Sequence, residues 1–223
     1  MRVLVACEES QTVCKAFRAR GHEAYSADIQ EPSGGHPEWH ILGDVLPLID
    51  GDCTFTTMDG QQHRIDGEWD MIIAFPPCTD LAASGARHFA RKQADGTQDR
   101  SKQFFLRFTN AKCKRIAIEN PVGIMSTCYR KPDQIIQPWQ FGESYQKTTC
   151  LWFVGDLPKL IPAVAKKPDF QYHTWVDKNG KQKRQTQWYY DTRRQGKRRG
   201  KIASKTPQGL ANAMAEQWGG VAE

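Results

Sequence analysis

The chain has 223 residues, of which 39% are hydrophobic and 25% charged, and its formal net charge is +6. This length suffices for one large core, and no stretch approaches the ~20 consecutive apolar residues of a membrane-spanning helix. Seven cysteines without any Cys-x-x-Cys spacing indicate a reducing cytoplasm and argue against a disulfide scaffold or a structural zinc site. The apolar run at the N-terminus is too short for a signal peptide.

Strand and helix patterns alternate from the first residues onward. Residues 2–6 predict a short buried strand. Residues 10–20 follow helical spacing, with Ser10 as the expected N-cap and Gly21 as the expected stop. Residues 23–27 alternate as a second strand, which ends at Asp28.

The same alternation continues to the C-terminus. The further predicted elements are strands at 69–75, 115–118 and 149–154, a helix at 101–112, and a last helix from Pro207 with Thr206 as its cap. Strands that alternate with helices predict an α/β fold, with a mostly parallel sheet flanked by helices. In such sheets, ligands bind at the carboxyl ends of the strands.

Polar and reactive residues stand at those predicted strand ends. They are Cys7, Glu8 and Glu9 after the first strand, Asp28 after the second, Pro76, Pro77 and Cys78 after the third clear strand, and Glu119 and Asn120 after the next. An acid about 20 residues beyond the first strand suits a ribose diol. Cys78, on a rigid Pro-Pro turn, is a candidate nucleophile, and a purely structural cysteine is an equally open interpretation.

One segment of the chain is strongly basic. Residues 166–201 hold twelve Lys and Arg against three Asp and Glu, while the rest of the chain is mildly acidic. Aromatic residues such as Trp175, Trp188 and Tyr189 are interleaved with these cations. The combination favours a folded appendage that faces nucleic acid, and a solvated basic tail is the alternative.

Five short motifs, in order, resemble those of the cytosine-C5 DNA methyltransferases, specifically the short, divergent kind that phages and prophages encode. The motifs are Gly43-Asp44-Val45, Pro77-Cys78 with Ser84-Gly85 downstream, Glu119-Asn120, Tyr145-Gln146-Lys147 before a strand, and the segment around Thr206-Pro207. The resemblance covers about residues 1–155 and 202–220. The chain departs from the family at residues 6–11, which lack the usual glycines, and at Thr148 and Cys150, where two arginines are expected.

The resemblance implies a Rossmann-like class I methyltransferase. Residues 1–155 and 202–223 would form the catalytic domain, and residues 156–201 a small basic segment that recognises DNA. The implied reaction moves a methyl group from S-adenosylmethionine to C5 of a cytosine flipped out of duplex DNA, in the cytoplasm of a bacterial or phage-infected cell. Cys78 would add to C6 of the base, and Glu119 would hold or protonate N3.

The resemblance and the strand-end positions together predict two sets of binding residues, and no metal. The cofactor set is Cys7, Glu8, Ser10, Asp28, Ile29, Asp44, Pro76 and Thr206. The substrate set is Ser84, Arg87, Asn120, Gln146 and Lys147, where Lys147 supplies the charge of the missing arginines.

Other functions stay open at this point. A methyltransferase acting on adenine N6 or cytosine N4 is disfavoured, because the tetrad Phe75-Pro76-Pro77-Cys78 has a thiol where those enzymes need an aromatic ring. Methylation of RNA or of a free nucleotide is an alternative. So is a non-catalytic, methyltransferase-like protein that only binds DNA. The sequence predicts neither the target site nor the oligomeric state.

Overall fold

The structure, a computed structural model, describes residues 1–196 and 199–220. Its strands are β1 (Arg2–Ala6), β2 (Glu23–Asp28), β3 (His40–Leu42), β4 (Cys53–Thr56), β5 (Gln62–Ile65), β6 (Met71–Ala74), β7 (Arg115–Pro121), β8 (Gln134–Ile136), β9 (Thr149–Gly155), β10 (Tyr172–Val176) and β11 (Gln182–Thr186). Its helices are α1 (Thr12–Arg18), α2 (Phe89–Ala94), α3 (Thr97–Thr109), α4 (Met125–Cys128), α5 (Gln187–Arg193), α6 (Arg199–Ser204) and α7 (Gln208–Met214), the last continued by a π-helical turn, Ala215–Gly219. Within these ranges no helix has the length and apolarity that crossing a membrane requires.

A seven-stranded sheet forms the centre of the molecule, in the order β3-β2-β1-β6-β7-β9-β8. The first five strands in this order run parallel, whereas β9 runs antiparallel to both of its neighbours. The predicted α/β fold with a mostly parallel sheet is therefore confirmed, and the arrangement is compatible with a Rossmann-like fold. The chain winds outward through β1, β2 and β3 and returns at β6, which places the topological switch point between β1 and β6.

Alternating side chains of β1 face two separate cores, one on each side of the sheet. Val3 and Val5 pack in the cluster that contains Phe17, Met214 and Trp218, from α1, α7 and the π-helical turn. This explains why the C-terminal residues return to the first strand.

The opposite face of the sheet is covered chiefly by α3. Leu4 and Ala6 share a cluster with Phe105, Phe108 and Trp152, all of them buried. Both faces of the central strands are thus covered, as their continuous apolar sequences require.

The first helix differs from the prediction at its start. It begins at Thr12, not at residue 10, and its N-cap is Gln11, which has a left-handed backbone with φ of 56°. Ser10 therefore is not the N-cap. The Glu8 carboxylate takes that role, because it accepts hydrogen bonds from the backbone N–H groups of Val13 and Cys14.

Three further element boundaries in the structure differ from those predicted from the sequence. The strand predicted at 115–118 runs on to Pro121, because β9 pairs with it along its whole length. The helix predicted at 101–112 begins at Thr97, directly after the left-handed Gly96. The last helix begins at Gln208 with Pro207 as its N-cap, so Thr206 does not cap it.

The basic segment is folded in the part that the structure describes. β10 and β11 form an antiparallel hairpin, and α5 and α6 follow it. Leu157 and Leu160, at the start of the predicted 156–201 segment, are instead buried in the core beside Trp218, so the appendage proper begins later. Lys197 and Arg198 in the segment, and 221–223 of the predicted catalytic domain, lie outside the described residues.

Candidate active site at the strand ends

Cys78 follows β6 on the Pro76-Pro77 turn, and its residue is exposed. Asn120 fixes this turn: its side-chain Nδ2 donates to the Pro76 carbonyl at 2.8 Å. Asn120 is only 1% exposed. Asn120, predicted to bind substrate, therefore holds the turn that carries the thiol, and Pro76, predicted to bind the cofactor, is buried and accepts this hydrogen bond.

A buried ion pair anchors the loop beyond Cys78. Lys92 on α2 lies 2.8 Å from Asp80 Oδ1, and its Nζ also donates to the Thr79 carbonyl at 2.6 Å. Ser101 on α3 donates to Asp80 Oδ2 at 2.9 Å. Sequence reasoning missed this network, because an aspartate and a lysine twelve positions apart carry no local signal that they pair. Its effect is to tie the loop after Cys78 to α2 and α3.

Glu119 and Lys147 both act electrostatically on the thiol of Cys78. Burial raises the pKa of the Glu119 carboxyl, and the nearby Lys147 ammonium lowers it in part. Burial also raises the pKa of Cys78, the Glu119 charge raises it further, and Lys147 opposes both. The three side chains therefore share one electrostatic environment, as expected from the adjacent positions of β6, β7 and β9 in the sheet.

The loop after β1 is built without glycine. Cys7 has a φ of 59°, in the left-handed region that favours glycine, and its N–H donates to the Ala27 carbonyl at 2.7 Å. Both oxygens of Glu8 are used on α1, at 2.6 Å from the Val13 nitrogen and 3.1 Å from that of Cys14. Burial raises the pKa of Glu8 to about 7. Glu8 is thus a structural part of this loop.

Ser10 joins the same local network and is 7% exposed. Its hydroxyl pairs with Thr12 Oγ1 at 3.0 Å and lies 3.5 Å from Glu8 Oε1. Neither Glu8 nor Ser10 has a side-chain group left over for a ligand in this structure.

Asp28, Ile29 and Asp44 stand on the other side of the switch-point loop. Asp28 is buried at the end of β2, whereas Ile29 is 79% exposed, the highest value among the large hydrophobic side chains of the described residues. Burial and then the charges of Asp28 and Asp44 raise the pKa of Cys7. Each of these acids also caps its own turn, because Asp28 Oδ1 accepts from the Gln30 N–H at 2.9 Å and Asp44 Oδ1 from the Leu46 N–H at 3.0 Å.

The remaining predicted residues are spread around these groups. Ser84 and Arg87 are exposed on a 3₁₀ turn after Cys78, where Arg87 Nε donates to His88 Nε2 at 2.9 Å. Gln146 is half-buried beside Lys147. Thr206 is 9% exposed and precedes α7.

The basic segment is docked onto this edge of the sheet. Trp188 on α5 stacks on Tyr145, with ring centroids 3.9 Å apart and planes 6° from parallel. Lys147 Nζ donates to the Ala203 carbonyl on α6 at 2.8 Å. The segment therefore contacts the residues that surround Glu119, although nothing in the sequence indicated which part of the body it would touch.

The outward side of the segment pairs arginines with aromatic rings. Arg guanidinium carbons lie 4.8–6.0 Å from ring centroids in three pairs, Arg184 over Tyr172, Arg193 over Tyr189 and Arg194 over Tyr190. Such pairs offer both a positive charge for phosphates and a flat face for bases.

Comparison with protein-family models and with curated proteins finds no match for the chain. In the described part of the chain, no group of three or more His, Cys, Asp or Glu side chains is arranged to hold a metal ion. The groups present at this edge are the Cys78 thiol, the Glu119 carboxyl with its raised pKa and the Lys147 ammonium.

Proposed function

We propose that the chain transfers a methyl group from S-adenosylmethionine to C5 of cytosine in DNA, through a covalent adduct with Cys78. One observation carries the proposal: Cys78 follows β6, Glu119 lies in β7 and Lys147 precedes β9, so these neighbouring strands bring the three residues to the carboxyl edge of the parallel strands. The order of motifs along the chain supports the same reaction.

The residues at the switch point fit the cofactor. Asp28 would accept the ribose hydroxyls, Asp44 would lie near the adenine amine, and Ile29 would cover the apolar face of the ring. A buried Glu9 oxygen that accepts no hydrogen bond from the described residues adds an acceptor for a positive group. When bound, S-adenosylmethionine supplies an electrophilic methyl group.

Cys78 would activate the base. Cytosine C5 is a poor nucleophile, and addition of the Cys78 thiolate to C6 converts C5 into a nucleophilic enamine carbon. After C5 is methylated, loss of the C5 proton to a base restores the ring double bond and expels the thiolate. Lys147 favours the thiolate, because its ammonium lowers the pKa that burial raises.

Glu119 would hold a proton at N3 of the base. Its pKa is raised by burial, so the carboxyl stays protonated to a higher pH than an ordinary glutamate. A neutral carboxyl can donate to N3 as negative charge develops on the ring during thiolate addition. The Lys147 charge next to it stabilises the carboxylate that remains when this proton is transferred.

DNA would approach over the basic segment and the loop after Cys78. Extruding a cytosine from the duplex costs a few kcal/mol, and phosphate contacts from the segment would offset that cost. Arg87 and His88, exposed on the 3₁₀ turn, are placed to contact the strand around the flipped base.

A non-catalytic DNA-binding protein is the second candidate, and Glu8 is the observation that favours it. Its carboxylate occupies the first turn of α1, where the family has glycines that let the cofactor approach the backbone. Calorimetric titration with S-adenosylmethionine separates the two: an enzyme binds the cofactor, and a DNA-binding module does not.

A mechanism-based trap tests the reaction itself. Fluorine at C5 cannot leave as a cation, so duplex DNA containing 5-fluorocytosine should trap the protein irreversibly, and only with S-adenosylmethionine present. The adduct is measured as a shifted band under denaturing electrophoresis. Cys78→Ala should abolish both the trap and turnover while DNA affinity stays near wild type. Glu119→Gln should slow methylation by roughly 10²–10⁴.

Cys128 gives the matched control, because it is also an exposed free cysteine. Cys128→Ala should trap and methylate like the wild type. Retention of wild-type methylation by Cys78→Ala would rule out the C5 mechanism.

A further inference from the structure

Glu9 is a buried carboxylate with one oxygen that lacks a hydrogen-bond donor among the described residues. It is 8% exposed, and its Oε2 accepts no hydrogen bond from residues 1–196 and 199–220. Its neighbour Glu8 has both oxygens bonded to α1. A buried carboxylate oxygen without a donor is costly, and such exceptions in a native structure need an explanation.

Glu9 lies at the switch-point edge, on the same side as Asp28. Its backbone carbonyl accepts a hydrogen bond from the Ser33 N–H at 2.8 Å, which joins the loop after β1 to the loop after β2. His40, on β3, is fully buried. Burial lowers its pKa, whereas the hydrogen bond with the Gln30 carbonyl and then the charges of Asp28 and Glu9 raise it. Both carboxylates therefore act on the same buried imidazole.

Among the described residues, the cation paired with this oxygen is the Lys201 ammonium, 3.6 Å away. This separation exceeds the 2.7–2.9 Å typical of a charge-assisted hydrogen bond. The Lys201 side chain is 52% exposed, so it can leave at little cost. A primary ammonium thus stands at the mouth of a buried carboxylate without satisfying it.

We infer that Glu9 is the binding site for a primary ammonium group of the ligand, and that Lys201 occupies the position of that group in its absence. The inference rests on the proposed function, in which the ligand is S-adenosylmethionine and the group is its α-ammonium. Glu9 would then fix the amino-acid end of the cofactor, while Asp28, Ile29 and Asp44 hold the nucleoside end.

This assignment makes Lys201 a competitor of the ligand. Lys201 belongs to α6 in the basic segment, and Ala203 on the same helix accepts the hydrogen bond from Lys147. Occupation of Glu9 by the ligand would release Lys201 for contact with phosphate. Removal of the lysine amine should accordingly strengthen binding of ligands that carry an ammonium group, and of no others.

Binding of two nucleosides, measured by calorimetry without any turnover, tests the inference. S-adenosylhomocysteine carries the α-ammonium group, whereas 5′-methylthioadenosine lacks the whole amino-acid end. Glu9→Gln should weaken S-adenosylhomocysteine by roughly 10- to 100-fold, the range of a charge-assisted hydrogen bond, and leave methylthioadenosine within about twofold. Lys201→Met should tighten S-adenosylhomocysteine and leave methylthioadenosine unchanged.

Glu31→Gln is the control, because it removes the same charge from an exposed position in the neighbouring loop and should alter neither affinity. A wild-type protein that binds neither nucleoside overturns the proposed function together with this inference. If the wild type binds both nucleosides, the proposed function stands and only the inference is tested. The inference is overturned if Glu9→Gln leaves both affinities unchanged or weakens both equally. Should Glu9→Gln fail to fold, Lys201→Met decides: an unaltered affinity for S-adenosylhomocysteine contradicts the proposed competition.

Discussion

At the scale of single residues, Glu8 shows how this chain builds a strand-to-helix loop without glycine. Cys7 and Gln11 both adopt left-handed backbones, at φ of 59° and 56°, and each such conformation costs a side-chain-bearing residue roughly 1–2 kcal/mol. Glu8 lies between them and caps α1 with both of its oxygens. The hydrogen bonds to the helix offset part of that strain.

The protonation of Glu8 should appear in the stability of the protein. Burial raises its pKa from 4.5 to about 7, so the native state binds the proton more tightly than the unfolded chain. The free energy of unfolding therefore falls as pH rises from 4.5 to 7, by up to about 3 kcal/mol from this group alone. Glu8→Gln lacks this contribution, so its stability relative to wild type should improve over the same interval.

Urea denaturation at pH 5 and pH 8 measures the effect in both proteins. Glu31→Gln, at an exposed position, should follow the wild-type pH dependence. Parallel pH profiles for Glu8→Gln and wild type would show that Glu8 is ionised throughout and that its hydrogen bonds outweigh its burial.

The sequence could predict some site residues and not others. The positions of Cys78 and Glu119 at one edge of the sheet were predictable, because parallel strands bring their carboxyl ends to one edge and each residue follows a recognisable apolar run. The sequence also places Glu9 at this edge. That its oxygen lacks a hydrogen-bond donor could not be predicted, because this depends on the position of Lys201 on α6. The capping role assigned to Ser10 was wrong because Glu8 competes for the same N–H groups, and propensity cannot rank two acceptors in one loop.

At the scale of elements, composition predicted a basic, aromatic appendage, and the structure gives it a hairpin and two helices. Asn179-Gly180 lies in the turn between β10 and β11, where Gly180 has a φ of 74°. Asn-Gly is a strong hairpin signal, so the hairpin could have been predicted from sequence. The Trp188–Tyr145 stack could not, since it joins two parts of the chain 43 positions apart.

The basic segment should make DNA binding sensitive to salt. If it neutralises ~5 phosphates, the slope of log K against log salt on duplex DNA should be about −4 to −5. We expect a shallower slope when four arginines are neutralised together: Arg193, Arg194, Arg198 and Arg199. Arg198 lies outside the described residues. Fluorescence anisotropy at several salt concentrations gives both slopes.

The control removes the same number of charges elsewhere. Neutralising four exposed cations far along the chain from the segment, Arg64, Arg107, Lys112 and Lys114, should lower affinity less and leave the slope near its original value. An affinity that does not depend on salt, or the absence of DNA binding in the wild type, would contradict a phosphate-binding role for the segment.

At the scale of the whole molecule, the chain closes on itself. Trp218, near the end of the described residues, packs in the core with Val3, and its Nε1 donates to the Pro158 carbonyl at 2.9 Å. The sequence predicted a last helix from Pro207, and the structure shows that this helix packs against β1. The limits of the appendage were not predictable. Leu157 and Leu160 belong to no helical or strand pattern in the sequence, and their burial depends on the tertiary contact with Trp218.

This closure predicts which part of the chain is dispensable for folding. Replacing residues 166–200 with a flexible Gly/Ser linker of about 15 residues leaves both core clusters intact, so the shortened protein should unfold cooperatively. It should still bind S-adenosylhomocysteine and should lose its salt-dependent affinity for DNA. Replacing residues 156–200 also removes Leu157 and Leu160 from the core, and the loss of each buried leucine typically costs about 2–5 kcal/mol of stability. Thermal unfolding followed by circular dichroism compares the two proteins. If both melt alike near the wild-type temperature, residues 157–160 belong to the appendage. If neither folds, the basic segment is an integral part of the α/β fold.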